Sequence, residues 1–122
     1  KHLYIIICFY PHMLKKTYKI FIETLDNKYR LEIINFLRNG PKNVTEICRT
    51  LKMNQTTVSH NLARLKACGF VFVKNSGKER IYTLNSRTIK PLMRLIDEHM
   101  ETYCEYVFLN ESISFFISSI SS

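Results

Sequence analysis

A chain of 122 residues is long enough to bury one hydrophobic core and too short for two. Its net charge of +8 is concentrated: residues 42–90 carry ten basic residues against two acidic ones, Glu46 and Glu79, while the remainder carries equal numbers of each sign. The four cysteines, Cys8, Cys48, Cys68 and Cys104, form no C-x-x-C pair, which excludes a disulfide framework or a zinc knuckle and predicts a reducing compartment, the cytoplasm.

The run "LYIIICFY" is too short to span a bilayer and lacks the small-residue cleavage site of a secretory signal, so residues 1–12 are set aside as an N-terminal extension. Over residues 13–25, Leu14, Tyr18, Phe21, Ile22 and Leu25 follow helical spacing. Asp26 is the predicted N-cap of a second helix, with Tyr29, Ile33, Ile34 and Leu37 as its buried side and Gly40 of "NGP" as its stop. "NVTE" resembles a capping box, Asn43 with Glu46 three residues on, and opens a short helix ending near Leu51. Three residues, Lys52-Met53-Asn54, lead to "QTTVSHNLARLKACGF", where Val58, Leu62 and Leu65 form one apolar stripe and Gly69 ends the helix. Two β-rich runs, 70–73 and 80–84, flank Asn75-Ser76-Gly77 and predict a hairpin. Pro91 opens a last helix with Leu92, Leu95, Ile96, His99, Tyr103, Tyr106 and Val107 in one stripe. The tail "ISFFISSISS" is also too short to span a membrane, and no membrane partner is expected. The predicted domain therefore covers residues 13–110, with 111–122 as a tail of undetermined role.

The order is helix, helix, short helix, turn, helix, hairpin, helix. A short helix, a tight turn and a second helix with a polar outer face make a helix-turn-helix, and the basic hairpin after it is a wing: the predicted fold is mainly α with a β-hairpin wing. The outer face of the second helix carries Gln55, Thr56, Thr57, Ser59, His60 and Arg64 and no carboxylate, and the hairpin carries Lys74, Lys78 and Arg80. With the charge excess on this segment, a polyanion partner is expected. Gln55 can pair with adenine, the Thr methyls can touch thymine, Arg64 can reach a phosphate or a guanine, and the wing cations suit backbone or minor groove. His60 has an alternative, a structural hydrogen bond within the fold.

"TEICRTLKMNQTTVSHNLARLKACGFVFVKNSGKERIYTL" resembles the ArsR/SmtB family of winged-helix transcriptional repressors. "TVSHNLARL" is similar to that family's S-x-x-S-H-x-L-x-x-L recognition helix, with Thr56 at the first Ser. "DNKYRLEIINFL" is similar to its D-x-x-R-x-x-I-L-x-x-L second helix, with Arg30 in register. The resemblance spans residues 17–104. It implies a sequence-specific repressor of double-stranded DNA that binds a palindrome as a homodimer through its first and last helices. The stripes on those helices agree: Leu14, Tyr18, Leu92, Leu95, Ile96, His99 and Tyr103 are the predicted interface.

The family's metal motifs are incomplete. In "EICRTL", Cys48 remains, but Arg49 and Thr50 stand where the resemblance places the next ligands. The last-helix set falls on Ser86, Thr88, His99 and Thr102, of which only His99 can bind a soft metal. Of the family's persulfide pair, Cys104 is in place and its partner falls at Asn35. No metal or cofactor is therefore expected, and no nucleophile–base pair or phosphate loop points to an enzyme. Two alternatives remain: a winged-helix protein-interaction adaptor, or a thiol- or metal-responsive sensor with a non-standard site. Placement of the whole charge excess on residues 42–90, the segment that contains the helix and wing, favours DNA.

Overall fold

The computed structural model describes residues 11–106, with side chains from residue 15 onward. Among the described residues the elements follow in the order α1 (Pro11–Leu25), α2 (Lys28–Leu37), β1 (Lys42–Asn43), α3 (Val44–Leu51), α4 (Gln55–Ala67), β2 (Val71–Ser76), β3 (Glu79–Leu84) and α5 (Ile89–Tyr103). The chain divides into a unit ending at Asn85 and a second beginning at Ser86. The strands form an antiparallel sheet in the order β1-β3-β2. This architecture is the mainly helical, winged one expected.

The core of the first unit is built where the apolar spacing places it. Ile33, Ile34 and Leu37 of α2, Ile47 of α3 and Val58, Leu62 and Leu65 of α4 are buried together with Phe70, Val71, Tyr82 and Leu84 of the sheet and its approach. The Phe21 ring of α1 lies 4.9 Å from that of Phe70, within the range of a favourable aromatic pair.

Asparagine starts three successive helices. Asn27 Oδ1 accepts from the Arg30 N–H at 3.0 Å, Asn43 Oδ1 from the Glu46 N–H at 2.8 Å, and Asn54 Oδ1 from the Thr57 N–H at 2.8 Å. Each satisfies one orphan donor of a first turn, worth about 1 kcal/mol. The cap of α2 is thus Asn27 and not Asp26: Asn27 has the extended backbone a cap needs, and its carbonyl accepts the first intrahelical bond, from Leu31. At Asn43 the return bond of a capping box is replaced by Asn43 Nδ2 donating to Glu79 Oε1 at 3.3 Å, which ties α3 to β3.

Four further expectations are corrected. Tyr29 is 38% exposed and lies outside the core, because the buried face of α2 narrows to Ile33, Ile34 and Leu37. The strands run longer than predicted, pairing Ser76 with Glu79, so the turn is Gly77-Lys78. Gly77 holds φ +62, as the first central position of a type II′ turn requires. Helix α5 opens at Ile89, leaving Pro91 inside the first turn, where its missing N–H costs nothing. Helix α1 begins at Pro11, two residues before the spacing predicted, with proline at the first helical position. The expected Leu14 contact, the Val107 end of the last stripe and the tail 111–122 lie outside the side chains and residues described.

Candidate nucleic-acid interface

Helix α4 is fixed at both ends. Before it, Lys52 adopts the left-handed conformation, φ 54 and ψ 46, and the Met53 N–H donates back to the Cys48 carbonyl at 3.1 Å. This turns the chain within three residues and sends α4 off in a new direction. At the other end, the Phe70 N–H donates to the Leu65 carbonyl at 2.9 Å and the Gly69 N–H to the Lys66 carbonyl at 3.0 Å. That pair of bonds, with Gly69 at φ +74 and Phe70 packed near Leu65, is a Schellman stop.

Laterally, α4 is held by a polar network. Arg30 Nη1 donates to Asn61 Oδ1 at 3.1 Å, and Asn61 Nδ2 donates to the Thr57 carbonyl at 2.8 Å. Arg30 Nε and Nη2 donate to the Thr24 and Glu23 carbonyls at the end of α1, at 2.6 and 3.0 Å. Thr24 is buried; its Oγ1 donates to the Ile20 carbonyl at 2.7 Å, accepts from Arg64 Nε at 3.0 Å, and lies 3.4 Å from Cys68 Sγ. The end of α1, the start of α2 and one flank of α4 are thereby locked together. Among the described residues, no buried side-chain nitrogen or oxygen lacks a partner.

What remains outward is a polar face with two flanks, because residues four apart share a side of a helix. Towards the wing, Gln55, Ser59, Ala63 and Ala67 line a cleft of about 570 Å³ with Val44, Lys66, Arg80 and Tyr82. Towards α2, Thr56, Thr57, His60 and Asn61 line a smaller one of about 380 Å³ with Asn27, Tyr29 and Arg30. The predicted groove-facing residues Gln55, Thr56, Ser59 and His60 are all exposed, and Thr57 is half-exposed. Among the described residues nothing bonds the His60 ring; its neighbour Asn61 makes the structural hydrogen bonds. Arg64 is exposed overall yet engaged through Nε with Thr24, so its tie to the fold accompanies whatever its outer nitrogens reach.

The wing cations divide between faces. In the hairpin register Arg80 lies across from Asn75, on the side of Tyr82 and Val71, with its guanidinium 6.0 Å from the Tyr82 ring. Lys74 pairs with Ile81 on the opposite face, beside exposed Phe72, and Lys78 forms the tip. Arg80 therefore joins the recognition-helix cleft, whereas Lys74 points away from it. Lys66 and Tyr29 line these clefts without a sequence motif that marks them. Lys66 is marked in the sequence only by its spacing from Gln55 and Ser59; Tyr29 was masked by its apolar spacing.

The helices expected at a dimer seam expose apolar surface. On α1, Tyr18 is 64% exposed and Ile22 is also exposed. On α5, considered by itself, Ile89 and Met93 are buried and Leu92 and Ile96 half-buried, while Leu95 is 63% and Tyr103 73% exposed. Leu95, Ile96, His99 and Tyr103 line an open hollow on α5, with the His99 and Tyr103 rings 5.4 Å apart.

A metal, as the resemblance would supply it, does not fit the donors present. Cys48 is followed by Arg49 and Thr50, and His99 has hydroxyls where further ligands would be needed. No group of three or more His, Cys, Asp or Glu able to hold a metal ion occurs among the described residues. Cys48, Cys68 and Cys104 are free and half-buried. No helix among the described residues is long and apolar enough to cross a membrane.

A capped short helix, a three-residue turn, a helix with a polar outward face and a hairpin set along its flank define a winged helix-turn-helix. The family description "Bacterial regulatory protein, arsR family" matches residues 27–72, the span from the α2 cap into the wing. The chain is similar to the HTH-type transcriptional regulator NmtR of Mycobacterium tuberculosis, 32% identical over 80 residues, covering 66% of this chain and 67% of that one. It is similar to the transcriptional repressor PagR of Bacillus anthracis, 32% identical over 78 residues, covering 62% and 77%. Its structure resembles the homodimeric winged helix-turn-helix DNA-binding domain of Mb0332 from Mycobacterium bovis, with TM-score 0.71 at 27% identity over 79% of this chain and 89% of that one. The chain belongs to the ArsR family of regulatory proteins, and is a winged helix-turn-helix transcriptional regulator rather than an enzyme.

Proposed function

We propose that this regulator acts in the cytoplasm as a homodimeric repressor that binds a palindromic operator in double-stranded DNA. One observation carries the reading: α4 presents a carboxylate-free polar face between two clefts, one of them sharing Lys66 and Arg80 with the wing. A helix of this kind fills the major groove, where Gln55, Thr56, Thr57, Ser59 and His60 meet base edges. Arg80 and Lys78 meet the backbone beside it, with Lys74 and the outer nitrogens of Arg64 in supporting reach. Exposed Tyr18, Leu95 and Tyr103 supply apolar surface for a second copy, and two copies related by a twofold axis require a palindrome. Sensing is absent from the proposal because the donor sets are incomplete.

Selection of bound sequences from a random duplex pool tests the reading. The expected result is a palindrome with half-sites about one helical turn apart. Binding of a random duplex as tightly as the best selected one would overturn it, and would favour the adaptor alternative.

A further inference from the structure

We infer that Lys28 and Tyr29, in the first turn of α2, grip a backbone phosphate on the DNA strand that lies across α4 from the wing. The inference rests on the DNA-binding reading and adds a contact that reading does not contain. An α-helix with its side chains is about 10–12 Å across, and the major groove is about 12 Å wide. A helix seated there has one phosphate backbone along each flank. The wing flank of α4 has cations for one strand, Lys66 and Arg80. The opposite flank meets α2, at the cleft lined by Tyr29, Thr56, Thr57 and His60.

Much of the interior of that cleft is committed to the fold. Asn27 Oδ1 takes the Arg30 N–H, Arg30 gives three of its five guanidinium N–H donors, one from each nitrogen, to Thr24, Glu23 and Asn61, and Asn61 Nδ2 is bound to the Thr57 carbonyl. Of the lining residues, Tyr29, Thr56 and His60 are exposed. Lys28 does not line the cleft, but its ammonium lies 4.9 Å from the ring centroid of Tyr29, which does. An ammonium and a phenol, two donors beside base-reading residues, suit a phosphate diester. No carboxylate lines the cleft; the acidic neighbours along the chain, Asp26 and Glu32, are exposed and outside it. The first turn of α2 holds no acidic residue.

The test uses the full chain and the selected duplex, with binding measured by fluorescence anisotropy over a salt series. Lys28→Gln is expected to lower affinity about 3–10-fold on selected and random duplexes alike, and to flatten the slope of log K against log salt by about 0.9. Tyr29→Phe is expected to lower affinity about 2–5-fold with an unchanged slope, since it removes a hydroxyl and no charge. In phosphate-ethylation interference, wild type should be blocked by a modified phosphate on the strand away from the wing, and Lys28→Gln should tolerate that modification. Lys78→Ala on the wing serves as the comparison. If Lys78→Ala weakens binding while Lys28→Gln and Tyr29→Phe match wild type in affinity and slope, this inference fails and the DNA reading stands. If wild type binds no duplex, both fail. Both side chains are exposed, and unchanged melting curves will show that the variants fold.

Discussion

Arg30 and Asn61, thirty-one residues apart in sequence, meet at 3.1 Å through Nη1 and Oδ1. The contact sets the angle of the recognition helix, because the same guanidinium also holds the last carbonyls of α1. Arg30→Ala is expected to lower unfolding stability by about 2–3 kcal/mol, leaving two helix-end carbonyls and one amide without a charged donor. Arg30→Lys should recover under half of this, since an ammonium cannot reproduce the planar fork. Urea unfolding measures it; a loss below about 0.5 kcal/mol for Arg30→Ala would show the network to be dispensable.

Gln55 and Lys78 should fail differently. Gln55→Ala is expected to relax base preference at one position per half-site, costing about 1–3 kcal/mol on the best duplex and little on a random one. Lys78→Ala should weaken both duplexes similarly and flatten the salt slope by about 0.9. Equal losses on both duplexes for Gln55→Ala would remove it from base reading.

Lys52 holds φ 54 in the turn between α3 and α4, the only non-glycine residue with positive φ among the described residues. Left-handed backbone costs a side-chain-bearing residue about 1–2 kcal/mol, part of which glycine returns as unfolded-state entropy. Lys52→Gly should therefore stabilise the fold by about 0.5–1 kcal/mol. Comparison with Lys52→Ala in thermal melts isolates the backbone effect, and equal melting temperatures for the two would contradict it.

Leu95 is exposed on its own helix, so a charge there need not disturb the chain's own fold. Leu95→Glu should give a folded monomer with weakened operator binding. Sedimentation decides: a wild-type chain that stays monomeric at tens of micromolar, roughly the range where an obligate dimer persists, removes the dimer from the proposal.

Operator affinity is expected to be indifferent to zinc, cadmium or arsenite under reducing conditions, because a tight site needs three or four ligands together. Stoichiometric release of DNA on titration with any of the three would reveal a site assembled from other residues.

Periodicity made the apolar framework legible: Val58, Leu62 and Leu65 are buried as their spacing demands. What escaped was set by distant partners. Asn61 falls on that same apolar side, and a polar residue there signals a buried hydrogen bond, but the spacing cannot name Arg30 as its donor. Tyr29 carries the right period and the wrong environment, since the buried face of α2 is confined to Ile33, Ile34 and Leu37. Strand β1 spans two residues and exists only through its pairing with β3, Lys42 opposite Tyr82, so no local propensity announces it. The division of Lys74 and Arg80 between faces follows from a register that the turn Gly77-Lys78 sets. The outward face of α4 was legible because Gln55, Thr56, Ser59 and His60 are exposed as their spacing demands, whereas the tie of Arg64 to Thr24 was not.

The junction at Gly69 and Phe70 has a consequence for the operator. Phe70 gives its N–H to Leu65 and its carbonyl to the Asn85 N–H at 2.9 Å, while Asn85 Nδ2 binds the Gly69 carbonyl at 2.9 Å. The base of the hairpin is thus riveted to the end of the recognition helix at both its entry and its exit. Helix and wing behave as the two jaws of a set calliper, with no hinge between them. On the proposed reading, in which α4 meets base edges and Arg80 the backbone, one base pair inserted between the two contacts is not followed by flexing at this joint, and the gauge of each half-site is written in the protein.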